Sequence, residues 1–213
     1  MAIRLIPWEE YPRKTHFEHF CKMEYPFVGL TATVDLTDFM HIEMANNLPL
    51  FLSINYCVGR AANRTPAFRQ RIHAGRVAEY DRCDTSHVVL LPDSSYTYCR
   101  LNCMQPYDTY LPQAIAAQKR AEQSSGLEEG EDAESLIYIS TVPWIHQTAL
   151  IQPISDALDS NPRFVWGKIE QIGGRFQMPL SLQAHHALVD GVHIAEFFRH
   201  LEEELAEFCK QNG

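Results

Sequence analysis

The segment from Gln183 to His193, QAHHALVDGVH, gathers three histidines and an aspartate into one short stretch. Strand alternation puts Leu180, Leu182, Ala184 and His186 on one face and His185 on the other, so the two adjacent histidines should not share one role. Three chemistries suit these residue types. Both histidines can satisfy local hydrogen bonds at a strand end, which is the commonest fate of such a pair. His186, Asp190 and His193 offer donors that a borderline metal accepts, although the spacing matches no helical H-x-x-x-H motif. A neutral imidazole can also take a proton from a substrate hydroxyl at physiological pH, because its ordinary pKa lies near neutrality. This last reading requires an electrophile, a nucleophile and an oxyanion donor around the ring.

The elements that must hold this segment mix strand and helix patterns. Gly29 to Leu36 alternates and is β-branched, so it reads as a strand, and Thr37 or Asp38 then caps a helix to about Asn46. Pro49 to Asn63 reads as a helix buried on more than one side, and Phe68 to Pro92 as a hairpin-rich stretch. Tyr96 to Met104 predicts a strand, Tyr107 to about Gln123 a helix, and Leu136 to Val142 a strand. Phe164 to Glu170 and Arg175 to Ala184 read as a hairpin turning at Gly173-Gly174. Val192 to Lys210 predicts a helix with one apolar stripe, Ile194, Phe198, Leu201, Leu205 and Phe208. Ala121 to Glu134 is acidic and reads as an exposed loop. The expected class is α/β, with helices covering a largely mixed sheet.

With 213 residues the chain suits a single domain over 1–213, long enough to fold without a metal or disulfide. Lys and Arg number 18 against 27 Asp and Glu, a net charge of −9. That balance disfavours nucleic-acid phosphate and anionic membrane as partners, while leaving room for a local basic patch on a phosphorylated cofactor. No apolar run reaches the roughly 20 residues of a membrane span, and MAIRLIPWEEYPRK lacks the features of a signal peptide. The six cysteines form no C-x-x-C pair, which points to reduced thiols in a cytoplasmic protein, with a Cys99–Cys103 bridge as the lesser alternative.

HHALVDG, His185 to Gly191, fits an HH-x-x-x-DG motif, and four other segments accompany it in order. They are PRKTHFEHF (Pro12–Phe20), GLTATVDLT (Gly29–Thr37), ISTVPW (Ile139–Trp144) and Gly167-Lys168 ahead of MPLSLQ. On these segments, from about Trp8 to Cys209, the chain resembles the chloramphenicol acetyltransferase family. Condensation domains and dihydrolipoyl acyltransferases share the motif, but the former are longer and the latter usually carry lipoyl and tethering regions. The resemblance implies a two-layer α/β sandwich of a mixed sheet with covering helices. It also implies a homotrimer with active sites between subunits, and acetyl-CoA as co-substrate with no metal. The acceptor would be a hydroxyl of chloramphenicol or a similar small molecule. His186 matches the general base, which acts without an acyl-enzyme, and Ser140 matches the donor to the tetrahedral oxyanion. Asp190 matches a structural partner of Arg13; breaking a buried pair of this kind on one side typically costs about 3–5 kcal/mol. Lys168 falls where the family contacts CoA phosphates, while Phe20, Glu24 and Tyr98 fall in segments that line the acceptor pocket. Taken alone, Ser140 reads as a backbone-bonded strand hydroxyl and Lys168 as a solvated surface lysine.

The pattern departs at several positions. Val165 replaces a threonine common in the resistance enzymes, and Asn47 stands where a CoA-contacting lysine is common. Glu24 and Gln152 bring polar groups to an acceptor region that is mainly apolar in those enzymes, and an unpartnered buried carboxylate would oppose an apolar acceptor. Three alternatives follow: the same fold acting on another alcohol, amine or thiol, a binding protein without chemistry, and a metal-dependent hydrolase.

Overall fold

The computed structural model describes residues 1–213 except 125, 128, 129 and 131. Strand β1 (Ile3–Leu5) leads through helix α1 (Lys14–Phe20) to β2 (Phe27–Asp35). Helices α2 (Thr37–Asn46) and α3 (Leu50–Arg64) follow, then β3 (Gln70–His73), β4 (Arg76–Tyr80), β5 (Thr85–Leu90) and β6 (Tyr96–Leu101). Helix α4 (Tyr107–Ala121) precedes β7 (Ile137–Val142), β8 (Arg163–Gly167), β9 (Glu170–Ile172) and β10 (Arg175–His185), and α5 (Gly191–Asn212) comes last. The expected hairpin at Gly173-Gly174 is the β9–β10 turn, and both glycines have positive φ (59° and 83°).

The main sheet runs β2-β10-β8-β7-β5-β6, with β9 pairing β10 off this path. β5–β7 and β7–β8 are parallel and the other neighbours antiparallel, so the sheet is mixed as expected. A small second sheet, β1-β4-β3, was not legible beyond the hairpin signal in its region. Alternation gives the main sheet two different faces. One carries Ile139, Phe164, Trp166, Leu180 and Leu182 into the core, where Phe68, Phe164 and Phe197 meet ring to ring at 4.7–5.6 Å. The other carries Ser86, Tyr98, Tyr138, Ser140 and Val165 toward a cavity.

Three expectations need adjusting. Phe197 is fully buried and Phe198 only partly, because steps of four and three drift around a 3.6-residue turn. Neither Thr37 nor Asp38 caps α2: Leu36 holds the cap position, and the Thr37 hydroxyl donates to Asp35 instead. Of the acidic stretch from Ala121 to Glu134, residues 125, 128, 129 and 131 lie outside the described residues. Its far end is tied down, with Arg100 on Asp132 at 2.6 Å and His73 on Glu134 at 2.8 Å. Arg71, fully buried, donates to the carbonyls of Phe68, Gln70, Glu134 and Leu136, which fastens β3 to the head of β7.

All six cysteines are free thiols, so no Cys99–Cys103 bridge forms; only Cys21 and Cys209 are partly exposed.

His87 on β5 gives the fold an acid sensitivity. It is 1% exposed and packs on the Phe51 ring at 4.8 Å. Gln118 faces it without closing a hydrogen bond of normal geometry, and neither ring nitrogen has a partner among the described residues. Burial holds its pKa down to about 4, so the folded chain refuses a proton that the unfolded chain takes up near 6.5. The stabilising contribution is complete above pH 6.5 and is lost as pH falls toward 4, at about 1.4 kcal/mol per unit and about 3 kcal/mol in all. His185, His193 and His200 also have lowered values, with burial the leading cause in each. The readout is therefore a difference: urea melts from pH 7 to 4.5 should show a flatter acid limb in His87→Leu than in the parent. Parallel limbs would refute the assignment.

Candidate active site

β10 ends at His185, and the chain then turns through His186 to Val189 before α5 starts. The two histidines face different partners, as expected, although His186 already lies in the turn beyond the strand. His185 accepts from the Ala187 N–H at Nδ1 (3.1 Å), and its Nε2 donates to the Ala157 carbonyl (2.9 Å). His186 has the opposite tautomer. Its Nδ1 lies 2.8 Å from the Val189 carbonyl, which only an N–H can satisfy, so in the neutral ring Nε2 carries the lone pair. Phe20, the last residue of α1, stacks on the imidazole with centroids 4.0 Å apart and planes 23° apart. The ring is thereby fixed in tautomer and tilt.

Arg13 and Asp190 hold the turn. The Arg13 guanidinium donates to the His186 carbonyl (3.2 Å) and to Asp190 Oδ2 (3.3 Å), and the His186 N–H donates to the Pro26 carbonyl (2.7 Å). Asp190 also caps α5: its side chain accepts from the Gly191 N–H, and the Asp190 N–H donates to His193 Nδ1 at 3.0 Å. The Gly191 N–H, and then Arg13, hold the Asp190 carboxyl below its ordinary range. Burial leads, with Arg13 next, in lowering His193, which suits its role as an acceptor.

The Arg13–Asp190 pair is less buried than expected, with the Asp190 side chain 41% exposed in the single chain. The penalty for a buried pair therefore does not apply. Asp190→Asn should cost no more than about 1 kcal/mol of stability, since asparagine still caps a helix. Because the carboxylate is stabilised when folded, this contribution is present above about pH 4 and fades as pH falls through the lowered value. Acyl transfer should fall because the turn under His186 loosens. A thermal melt beside a rate assay checks both, and an unchanged rate would make the pair purely a helix cap.

His186, Asp190 and His193 do not converge on one point. The Nδ1 atoms of His186 and His193 are committed to the Val189 carbonyl and the Asp190 N–H, the Asp190 carboxylate to Gly191 and Arg13, and no group of three metal-binding side chains occurs among the described residues.

Ser140 lies elsewhere. It faces outward from β7 in register with Val165 of β8 and lines a cavity of about 510 Å³ with Tyr98, Tyr138, Val165 and Gln152. Arg13, Phe20, Glu24, Lys168 and His186 are not part of that lining. The sequence-predicted residues thus form two groups, a histidine turn and a serine cavity, with no residue of the turn in the cavity lining. Glu24 is exposed in the turn before β2. Lys168 is half exposed and pairs with Glu170 at 2.9 Å. Its backbone N–H donates to the Ile145 carbonyl, and Gly167 beside it has no room for a Cβ, which would meet Gln147 Oε1 at 1.7 Å. Asn47 ends α2 at φ 51°, a left-handed position that asparagine tolerates better than lysine.

Sequence reasoning missed Gln183. It is 5% exposed on β10, accepts from the Gln152 N–H (3.0 Å) and donates to the Tyr25 hydroxyl (3.1 Å). The available signal was a glutamine between Leu182 and Ala184, two residues before His185 on the same strand face.

A mixed sheet covered by helices, with a histidine turn closing its longest strand, is the architecture of an acyltransferase. The family model for chloramphenicol acetyltransferase matches residues 1–202, and the chain belongs to the chloramphenicol acetyltransferase family. It is 26% identical over 210 residues to a chloramphenicol acetyltransferase of Clostridium perfringens, covering 95% of this chain and 94% of that one. It is 25% identical over 201 residues to chloramphenicol acetyltransferase 3 of Escherichia coli, covering 92% and 93%. A solved chloramphenicol acetyltransferase superposes with a TM-score of 0.88 at 26% identity, over 96% of this chain and 100% of that one. The dihydrolipoamide acetyltransferase of Azotobacter vinelandii shares the fold at a TM-score of 0.69 and 20% identity, covering 91% and 86%.

Proposed function

We propose that this chain, acting as one domain, is an acetyl-CoA-dependent O-acetyltransferase whose acceptor is chloramphenicol or another small hydroxylated molecule. The observation that carries the reading is the tautomer of His186, whose Nδ1 is bound to Val189 and whose Nε2 is available. His186 Nε2 takes the proton of the acceptor hydroxyl as its oxygen attacks the thioester carbonyl. The Ser140 hydroxyl donates to the oxyanion that forms. Collapse breaks the carbon–sulfur bond, and the CoA thiolate leaves with the proton held by the imidazolium. Balance requires no acyl-enzyme and no metal.

His186 and Ser140 work together when a second copy of the chain brings its histidine turn to this cavity, in a homotrimer with active sites between subunits. The separation of the two groups favours this reading, and so does the apolar side of the cavity face, where Val88, Leu90 and Tyr96 are exposed. Phe20 and Tyr98 serve the acceptor, Phe20 from the histidine side and Tyr98 from the cavity. Glu24 belongs to the acceptor region only if the neighbouring copy covers its turn. Lys168 serves the CoA phosphates. Its exposed pair with Glu170 is worth little, so exchanging that carboxylate for phosphate costs little. A cytoplasmic setting, where acetyl-CoA is made, suits the reading; among the described residues no helix is long and apolar enough to cross a membrane.

The test is CoA release from acetyl-CoA, read with a thiol dye with and without chloramphenicol. Acceptor-dependent release is expected. Its absence with chloramphenicol and with other small alcohols, amines and thiols would overturn the enzymatic reading. Sedimentation as a monomer would overturn the shared site.

A further inference from the structure

The pairing of β8 with β10 runs from Arg163 opposite Gln183 to Trp166 opposite Leu180 and goes no further. The next residue of β10 is Pro179, which has no N–H to give a neighbouring strand. Gln147, buried in the chain between β7 and β8, reaches this end of the ladder. Its Nε2 donates to the carbonyls of Val165 on β8 (3.3 Å) and Pro179 on β10 (3.5 Å), so one amide bridges the two strands. Its Oε1 is buried without a partner among the described residues. A buried acceptor left unpaired is unfavourable, so the amide keeps its seat through its donor end and through the space over Gly167. A Cβ on Gly167 would collide with the Gln147 side chain and lie 2.5 Å from the Ile145 carbonyl oxygen.

This seat bears on Lys168, which lies between β8 and β9 and belongs to neither strand. The two residues just before Gln147 hold the Lys168 backbone on both sides. Its N–H donates to the Ile145 carbonyl (2.8 Å), and the His146 Nδ1–H donates to its carbonyl (3.2 Å). Gln147 thus fixes Ile145 and His146 on the sheet, and they fix Lys168. The cavity wall further along has a tie of its own, from the Gln152 N–H to Gln183. The two ends of the chain between β7 and β8 are therefore anchored separately.

We propose that Gln147 is a positioning residue for the acyl donor: seated at the end of the β8–β10 ladder, it holds the backbone that aims Lys168 at the phosphates of CoA. The inference rests on the acyltransferase reading and goes further in naming the residue that sets donor affinity. Gln147 acts through Lys168 and touches neither substrate.

Two variants open the seat from opposite sides. Gln147→Met keeps the side-chain length and removes both donors, and Gly167→Ala displaces Gln147 and Ile145 together, so it decides the matter where Gln147→Met does not fold. CoA affinity is measured by calorimetry in the full-length parent, in each variant, and in each combined with Lys168→Met. Rates are measured with acetyl-CoA and with acetyl-pantetheine, a donor that lacks the phosphates, beside melting curves. In both variants CoA affinity and kcat/KM for acetyl-CoA should fall about 5–20-fold. The acceptor KM and kcat/KM for acetyl-pantetheine should change less than about twofold. Adding Lys168→Met should lower CoA affinity little further, because the two residues act as one unit. A lower melting temperature with CoA affinity intact would make Gln147 purely structural and overturn the proposal. Losses that add in the combined variants, or that are equal for the two donors, would overturn it as well. CoA affinity that falls with Gln147→Met and no further with Lys168→Met, in a parent that releases no CoA, would sustain this assignment and overturn the acetyl-transfer reading. Turnover with unchanged CoA affinity in both variants would do the reverse, and a parent that binds no CoA would overturn both.

Discussion

His186→Ala should reduce acyl transfer by about 10²–10⁴-fold, the usual worth of a positioned general base. An alcohol hydroxyl does not ionise near neutrality, so its oxygen attacks a thioester slowly unless a base removes the proton in the same step. His186 meets the geometric needs of that base. Its Nδ1–H is bound to the Val189 carbonyl, its ring is stacked on Phe20, and its backbone carbonyl is bound by Arg13. Removing the ring deletes one side-chain hydrogen bond, worth about 1 kcal/mol, and some stacking. Thermal unfolding should therefore change little while the rate collapses. His185→Ala should behave in the opposite way. His185 is 1% exposed and spends both nitrogens on the Ala187 N–H and the Ala157 carbonyl, so its loss weakens the fold around the turn. Melting curves beside CoA-release rates separate the two cases. A near-normal rate in His186→Ala would remove this residue from the chemistry.

Much of this arrangement was legible in the sequence, for identifiable reasons. The strand period separated the two histidines in sequence, although in the structure the strand stops at His185 and the turn bonds to Pro26 and Arg13 direct His186. The terminal helix was legible from its apolar stripe, although counting alone chose Phe198 over Phe197. Arg13 and Asp190 could be paired only through a resemblance, because nothing local links residues so far apart, and the structure joins them at 3.3 Å. The pairing was visible but its burial was not, since exposure depends on how the turn sits against α1. Helix α1 itself was not predicted; it is short, and its only buried residue is Phe17. Asn47 shows the opposite failure. Its residue type was noticed as a departure from a ligand pattern, whereas the backbone gives it a local reason, a left-handed helix end. Glu24 and Gln152 were indistinguishable as polar intrusions in sequence. The structure separates them, leaving Glu24 exposed in a turn and placing Gln152 in the wall of the cavity, its amide nitrogen buried.

Ser140→Ala should lower kcat and kcat/KM together by about 10²–10³-fold, the usual cost of losing one oxyanion donor. The hydroxyl faces the cavity from β7, in register with Val165. Parallel pairing to β8 fixes its backbone, and β5 pairs with Ile137–Ile139 just before it, so the donor is positioned by the sheet rather than by a loop. An interaction that strengthens only as the carbonyl oxygen gains charge leaves substrate binding almost untouched, so KM should hardly move. A structural hydroxyl would behave differently, lowering the melting temperature and sparing the rate. The proposed pairing of Ser140 with a histidine from another copy permits a stricter check. His186→Ala and Ser140→Ala chains, each nearly inactive alone, are unfolded together and reassembled as mixed oligomers. On random assortment about one quarter of inter-subunit sites combine an intact histidine turn with an intact serine cavity, so activity should return to about that fraction of the parent. Were both groups supplied by one chain, no mixed assembly could contain an intact site, and activity would stay at the level of the separate variants.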